Sequence, residues 1–125
     1  VQRDVNCQII VVADASPERF RTALILASAQ AALGRSVRLF LQGEAVGLAR
    51  QPIHDPDAAR QTGAGLPTLG ELIEQAFALG IIVGACQSTL ALLELDITQF
   101  DSRIAWGGMV SLLAESTPED RIIVV

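Results

Sequence analysis

The chain has 125 residues and a formal net charge of −5, with half its residues hydrophobic and 18% charged, which fits one domain with a sizeable core and excludes a disordered chain. All nine basic residues are Arg and no Lys occurs, which excludes Schiff-base and pyridoxal-phosphate lysine chemistry and the phosphate loop GxxxxGK[ST]. The acidic balance without a basic stripe argues against direct nucleic-acid binding, no apolar stretch reaches the roughly 18 residues of a membrane span, and two separated cysteines fit a soluble, cytosolic protein without disulfides.

Gln8 to Ala13 (QIIVVA) is a continuous β-branched run, as expected for a strand covered on both faces of a parallel sheet. Ser16-Pro17-Glu18 then supplies an N-cap, a proline at the first helical position and an acid near the positive helix end. The helix is expected to run to Leu33 and stop at Gly34. Its apolar positions spread well beyond one stripe, through Ile25, Leu26, Ala29 and Ala32, which points to burial on more than one side, as by a neighbouring subunit. Ser36 to Gln42 reads as the second strand, ended by Gly43. From there to about Leu66 the Pro, Gly and Asp content predicts mostly loop, with a short helical turn at Ala45 to Ala49, and a loop of that length in a small domain tends to be functional or mobile. Thr68-Leu69-Gly70-Glu71 is a capping box opening a helix to Leu79, ended by Gly80. Ile81 to Ala85 is the third strand, followed by Cys86 and a helix of about Ser88 to Leu93. Arg103 to Trp106 reads as a short strand, Gly107-Gly108 as a tight turn, Met109 to Glu115 as a helix and Arg121 to Val125 as a last strand. This alternation calls for a parallel-rich sheet with helices on both faces.

Ligands gather beyond the carboxyl ends of strands in such sheets, and Cys86 falls at one of those ends. Two readings stand there: a thiolate favoured by the helix start behind it, or a small buried residue that fills space. Cys7 precedes the first strand and reads as structural. Asp14 lies at the same sheet edge as Cys86, either as a site carboxylate or as a helix cap. Gly107 and Gly108 either admit a ligand close to the backbone or only make a turn. Trp106 reads as core or interface. His54, the single histidine, is either a solvated loop residue beside Asp55 or the base of a Cys-His pair. One His and two distant Cys make no zinc set. Gly63-Ala64-Gly65 fails as a dinucleotide motif, because Thr68 stands where its third Gly belongs and no strand precedes it.

The segments PERFRTALILASAQAALGRSVRLFLQGEAV, LGELIEQAFALGIIVGACQSTLALLEL and IAWGGMVSLLAESTPEDRIIVV, in that order, resemble the DsrE/DsrF-like family across nearly the whole chain apart from residues 49–66. The resemblance implies a flavodoxin-like three-layer α/β/α sandwich with a mostly parallel sheet, assembled into trimers or hexamers. It further implies a persulfide relay, because characterised members hold sulfur on a cysteine after this strand and pass it between sulfur donor and acceptor proteins. Cys86 occupies that position. The implied persulfide is stabilised by N–H groups at Gln87, Ser88 and Thr89, with Asp14, Gly107 and Gly108 flanking it, and no cofactor is expected. This chain departs from the pattern in reading Glu94-Leu95 where many relatives carry Gly, and in its 49–66 loop. The competing functions are a noncatalytic oligomeric module that binds a small molecule or anion, and a cysteine hydrolase using Cys86 and His54.

Overall fold

The computed structural model describes residues 7–125. Five strands alternate with helices along the chain. They are β1 (Cys7–Val12), α1 (Pro17–Ala32), β2 (Ser36–Leu41), α2 (Ala58–Gly63), α3 (Leu69–Ala78), β3 (Ile82–Cys86), α4 (Thr89–Leu93), β4 (Ala105–Gly107), α5 (Met109–Ala114) and β5 (Arg121–Val124). All strand pairs are parallel and their order is β4-β3-β2-β1-β5. The α/β/α layering and the parallel sheet agree with the expectation. Within that architecture the strand order differs from that of flavodoxin, which runs 2-1-3-4-5.

Register and alternation sort the strand residues onto two faces. Ile10, Leu39 and Val83 share one row, flanked by Val12 and Leu41, and all five are almost fully buried. The steps from β1 to β2 to β3 run in one direction, so the right-handed crossover rule puts α1 and α3 on a common side, where they pack on each other. The opposite face carries the rows Ile9-Arg38-Ile82 and Val11-Phe40-Gly84-Ala105. The chain reverses direction between β4 and β5, which takes α5 to this second face. There Ser111 and Leu112 of α5 and Glu115 just after it line a cavity with Arg38, Phe40, Ile82 and Gly84.

α1 begins as expected: the Ser16 hydroxyl accepts from the Arg19 N–H and Pro17 holds the first helical position. It buries a single stripe, Phe20, Ala23, Leu24, Ala27 and Ser28, while Ile25 remains half exposed and Leu33 mostly exposed. Burial on more than one side is therefore not met within one protomer. Thr68 and Glu71 form the reciprocal capping box at α3. Gly34 and Gly80 close α1 and α3 at φ +85° and +78°, a conformation that costs glycine nothing.

The stretch read as loop holds more structure than its composition indicated. A 3-10 turn spans Gly43–Ala49, and α2 follows Asp57, whose carboxylate accepts from Arg60 and Gln61. Asp55 anchors the segment. Its carboxylate takes the Arg21 guanidinium at 3.2 Å and the Leu69 N–H at 2.8 Å, and both ion-pair partners are largely buried. Arg21 also donates to the Pro67 carbonyl. One cross-link thus ties the segment to the starts of α1 and α3, so it is docked against the helical layer.

Candidate functional site

Cys86 ends β3 and lies opposite Gly107 of β4. Because Ile82, Gly84 and Cys86 alternate onto the α5 side, the thiol shares its face with the cavity residues. The residue is 6% exposed, and its surroundings are polar. Sγ stands 3.2 Å from the Ser88 hydroxyl. That hydroxyl, then the Thr89 hydroxyl, hold the thiol below its ordinary range; burial opposes them, and the backbone N–H groups of Thr89 and Ser88 add to the lowering. Ser88 occupies the N-cap position of α4 but makes no side-chain cap bond. Its hydroxyl serves the sulfur instead.

α4 spans only five residues, Thr89–Leu93, and ends at Glu94 in the left-handed region, φ 55°. A single turn carries little macrodipole, so hydroxyl and amide donors, more than the helix field expected behind the thiol, act on the sulfur. The Gln87 N–H is not among those donors, because it binds the Gly107 carbonyl at 2.9 Å. The expected amide set at Gln87, Ser88 and Thr89 is therefore reduced to the last two. Gln87 and Ser88 are exposed, whereas Thr89 is buried.

Gly107 and Gly108 sit at the strand-to-helix junction beside this site. Gly108 donates its N–H to Ser111 Oγ at 3.1 Å and its carbonyl accepts from the same hydroxyl at 2.9 Å, so this amide is engaged inside α5. Gly84 is required by packing: a Cβ there would stand 3.2 Å from the Ala105 carbonyl and 3.3 Å from Phe40. Asp14 is exposed and lies 3.9 Å from the Arg19 guanidinium, while Ser16 takes the capping role. His54 is exposed, and no hydrogen bond joins it to Cys86 among the described residues. Trp106 packs edge-on against Phe100, with ring centroids 4.9 Å apart at 85°. Cys7 is buried at the other end of the sheet, where its sulfur faces the Gln8 carbonyl at 3.9 Å. No cluster of His, Cys, Asp and Glu suited to a metal occurs among the described residues.

Sequence reasoning missed two side chains. The pairing of Phe40 with Gly84 and Leu41 with Ala85, carried one step further through the extended backbone of Gln42, sets Gln42 beside Cys86 on the same face. Its Oε1 is buried with no hydrogen-bond partner among the described residues, as is Nε of Arg38. A polar residue closing an apolar strand just before Gly43 was the available signal for Gln42. An arginine inside the run VRLFL was the signal for Arg38.

The site is thus a buried cysteine beside hydroxyl and amide donors at the carboxyl edge of a parallel α/β/α domain. The chain belongs to the DsrE/DsrF-like family, whose profile matches residues 8–125. Among solved structures it is similar to the ychN protein from E. coli, with TM-score 0.77 at 18% identity, covering 96% of this chain and 99% of that one. It is also similar to MTH1491 from Methanobacterium thermoautotrophicum, a protein of unknown function, with TM-score 0.70 at 13% identity, covering 96% and 99%. BT1422 from Bacteroides thetaiotaomicron, likewise of unknown function, gives TM-score 0.63 at 18% identity, covering 96% and 94%. At these identities the likeness is one of fold. No curated protein matches the chain by sequence.

Proposed function

We propose that this chain is a cytosolic, single-domain sulfur carrier of the sulfurtransferase type that holds persulfide sulfur on Cys86 and passes it to a partner protein thiol. The observation that carries this reading is the Cys86 sulfur held against the Ser88 hydroxyl and the Thr89 donors, which favour an anionic sulfur at the strand end. In loading, the Cys86 thiolate attacks the outer sulfur of a donor persulfide R–S–SH. A new Sγ–S bond forms, the donor S–S bond breaks, R–S⁻ leaves with the electron pair, and the proton stays on the transferred sulfur. Delivery to an acceptor thiolate is the same exchange in reverse, so neither step consumes an oxidant.

The carrier acts as a homo-oligomer in this reading. Val110 and Leu113 of α5, and Ile122 and Val124 of β5, are 84%, 44%, 50% and 65% exposed, and a monomer gains nothing from leaving these side chains in water. No helix among the described residues is long and apolar enough to cross a membrane. Intact-protein mass spectrometry after incubation with a persulfide donor tests the carrier function. One added sulfur, about 32 Da, is expected on the wild type and none on Cys86→Ala; a wild type that stays unmodified defeats it.

A second reading, a noncatalytic module that binds a small anion, is favoured by the cavity between α5 and the sheet, which Arg38 lines and Cys86 does not. Under that reading, ligand binding persists undiminished in Cys86→Ala.

A further inference from the structure

We infer that the cavity between the end of α1 and the first residues of β1 and β5 is a binding site for a small tetrahedral oxyanion, phosphate or a short phosphate monoester. It lies on the α1 face, at the sheet edge opposite Cys86, and it stands independently of the carrier reading.

The cavity measures about 230 Å³, and its described lining residues are Gln8, Gln30, Arg35 and Arg121. All four are polar, two are cations and none is an acid. Gln8 and Arg121 are register partners on β1 and β5, so they project to the same face as Ile10. Gln30 lies in the last turn of α1 and Arg35 just beyond the helix. The two arginines are exposed and Gln30 is half-buried, whereas Gln8 is 6% exposed. Its backbone carbonyl faces the Cys7 sulfur, yet its side-chain amide makes no hydrogen bond among the described residues. A buried amide without a partner costs stability, and a guest that bonds to it removes the penalty.

The donors around this amide are unspent. Arg35 Nη1 donates to Gln30 Oε1 at 2.7 Å, which leaves the Gln30 NH2 group and the other Arg35 N–H groups as donors. Neither Arg35 nor Arg121 has an ion-pair partner among the described residues. Asp120, next to Arg121 in sequence, is engaged with the Cys7 and Thr117 N–H groups at 3.0 and 2.9 Å. The negative end of α1 is covered as well, since the N–H groups of Leu33, Gly34 and Arg35 take the carbonyls of Ala29, Ala31 and Gln30. The chain as a whole carries −5 and repels anions, so the attraction is local to the place where two guanidiniums line one cavity. A carboxylate fills one planar fork. A tetrahedral dianion presents oxygens to both forks and to the two amides, and its charge matches theirs. The volume, below that of drug-sized pockets, suits inorganic phosphate or a short monoester.

The test titrates inorganic phosphate into the wild-type protein at constant ionic strength and follows binding by calorimetry and by side-chain amide shifts. Saturable binding is expected, with shifts of the Gln8 and Gln30 NH2 signals and with affinity at least about tenfold lower in Arg121→Gln and in Arg35→Gln. Arg60→Gln removes an exposed guanidinium elsewhere and is expected to leave the affinity unchanged. No saturation, an equal loss in all three variants, or acetate bound as tightly as phosphate overturns the inference. Gln8→Leu separates a ligand-facing amide from a structural one. Without phosphate its Tm is expected to be unchanged or higher, while the rise in Tm that phosphate gives the wild type is lost. Phosphate affinity kept within about twofold in Gln8→Leu overturns the inference. A lower Tm together with lost binding marks Gln8 as structural, and the two arginine variants, at exposed positions, then decide. Glycerol 3-phosphate distinguishes the source: tighter binding than phosphate assigns the site to a metabolite monoester, and equal or weaker binding assigns it to the free ion.

Discussion

Cys7 and Cys86 stand at opposite ends of the same sheet face, and both are almost fully covered, at 2% and 6% exposure. By buried area they are alike. Their neighbours separate them: the Cys7 sulfur faces a backbone carbonyl, an acceptor that does nothing for a thiolate, while the Cys86 sulfur faces hydroxyl and amide donors. On the proposed reading, donor chemistry at the carboxyl edge, more than exposure, separates the two thiols. The two ends also differ in anchoring, since the buried Arg21–Asp55 pair braces the edge that carries Cys86.

The largest expected effect is on reactivity. In the native protein, iodoacetamide is expected to modify Cys86 at least about tenfold faster than Cys7, read by peptide mass mapping against time. The Cys86 rate rises with pH through a midpoint below the ordinary thiol value of about 8.5, and Ser88→Ala moves that midpoint upward by removing the strongest donor. Equal rates at the two cysteines would erase the contrast. The same lowering carries a sign for stability. The folded thiol ionises more readily than the unfolded one, so its contribution is fully present above the unfolded midpoint and is lost as pH falls through the folded one.

Next in size is Asp55→Ala. It leaves Arg21 buried without its partner and strips the first N–H of α3 of an acceptor. The expected loss is about 2 to 3 kcal/mol, below the ~3–5 kcal/mol of a fully buried pair because Arg21 and Asp55 keep 12% and 9% exposure. Thermal unfolding measures it. A loss under about 0.5 kcal/mol would mean that the segment from Gln51 to Pro67 does not brace this edge.

Serine in place of each cysteine sharpens the comparison further. At Cys7 the new hydroxyl is almost fully buried and its nearest acceptor, the Gln8 carbonyl, lies at 3.9 Å from the present sulfur, beyond O–H hydrogen-bond reach, so the change is expected to cost about 1 to 2 kcal/mol. At Cys86 it joins Ser88 and Thr89 and is expected to cost less than about 0.5 kcal/mol. Denaturant titration of both variants decides the order, and the reverse order would contradict the contrast in hydrogen-bond partners.

What the sequence disclosed follows from what is local. Strand runs, the Ser16 and Thr68 caps and the glycine stops at 34 and 80 are determined by short-range chemistry, and all five strands form within two residues of their expected positions. Long-range features were not legible. The Asp55 anchor joins residues 34 apart, so the segment around it read as loose. The Gln42 and Arg38 atoms are conspicuous only once three strands stand side by side. At the site, the position of Cys86 was legible from one strand and one turn, but its donors were misjudged. Whether an amide is free depends on what lies across the sheet, and here the Gly107 carbonyl takes the one on Gln87.

The smallest expected effect concerns the end of α4. Glu94 is the one non-glycine with positive φ among the described residues, at 55°. A side chain in that conformation costs about 1 kcal/mol, while glycine adds unfolded-chain freedom that offsets part of the relief. Glu94→Gly is therefore expected to stabilise the fold by about 0.5 kcal/mol, a rise of a few degrees in Tm. Because Cys86 and its donors lie before or at the first residue of the helix and Glu94 follows its last, the alkylation rate of Cys86 should be unmoved. A variant that gains stability and changes the rate together would show that the single turn of α4 transmits strain to the sulfur. The donor contrast between the two cysteines would then have a backbone component as well as a side-chain one.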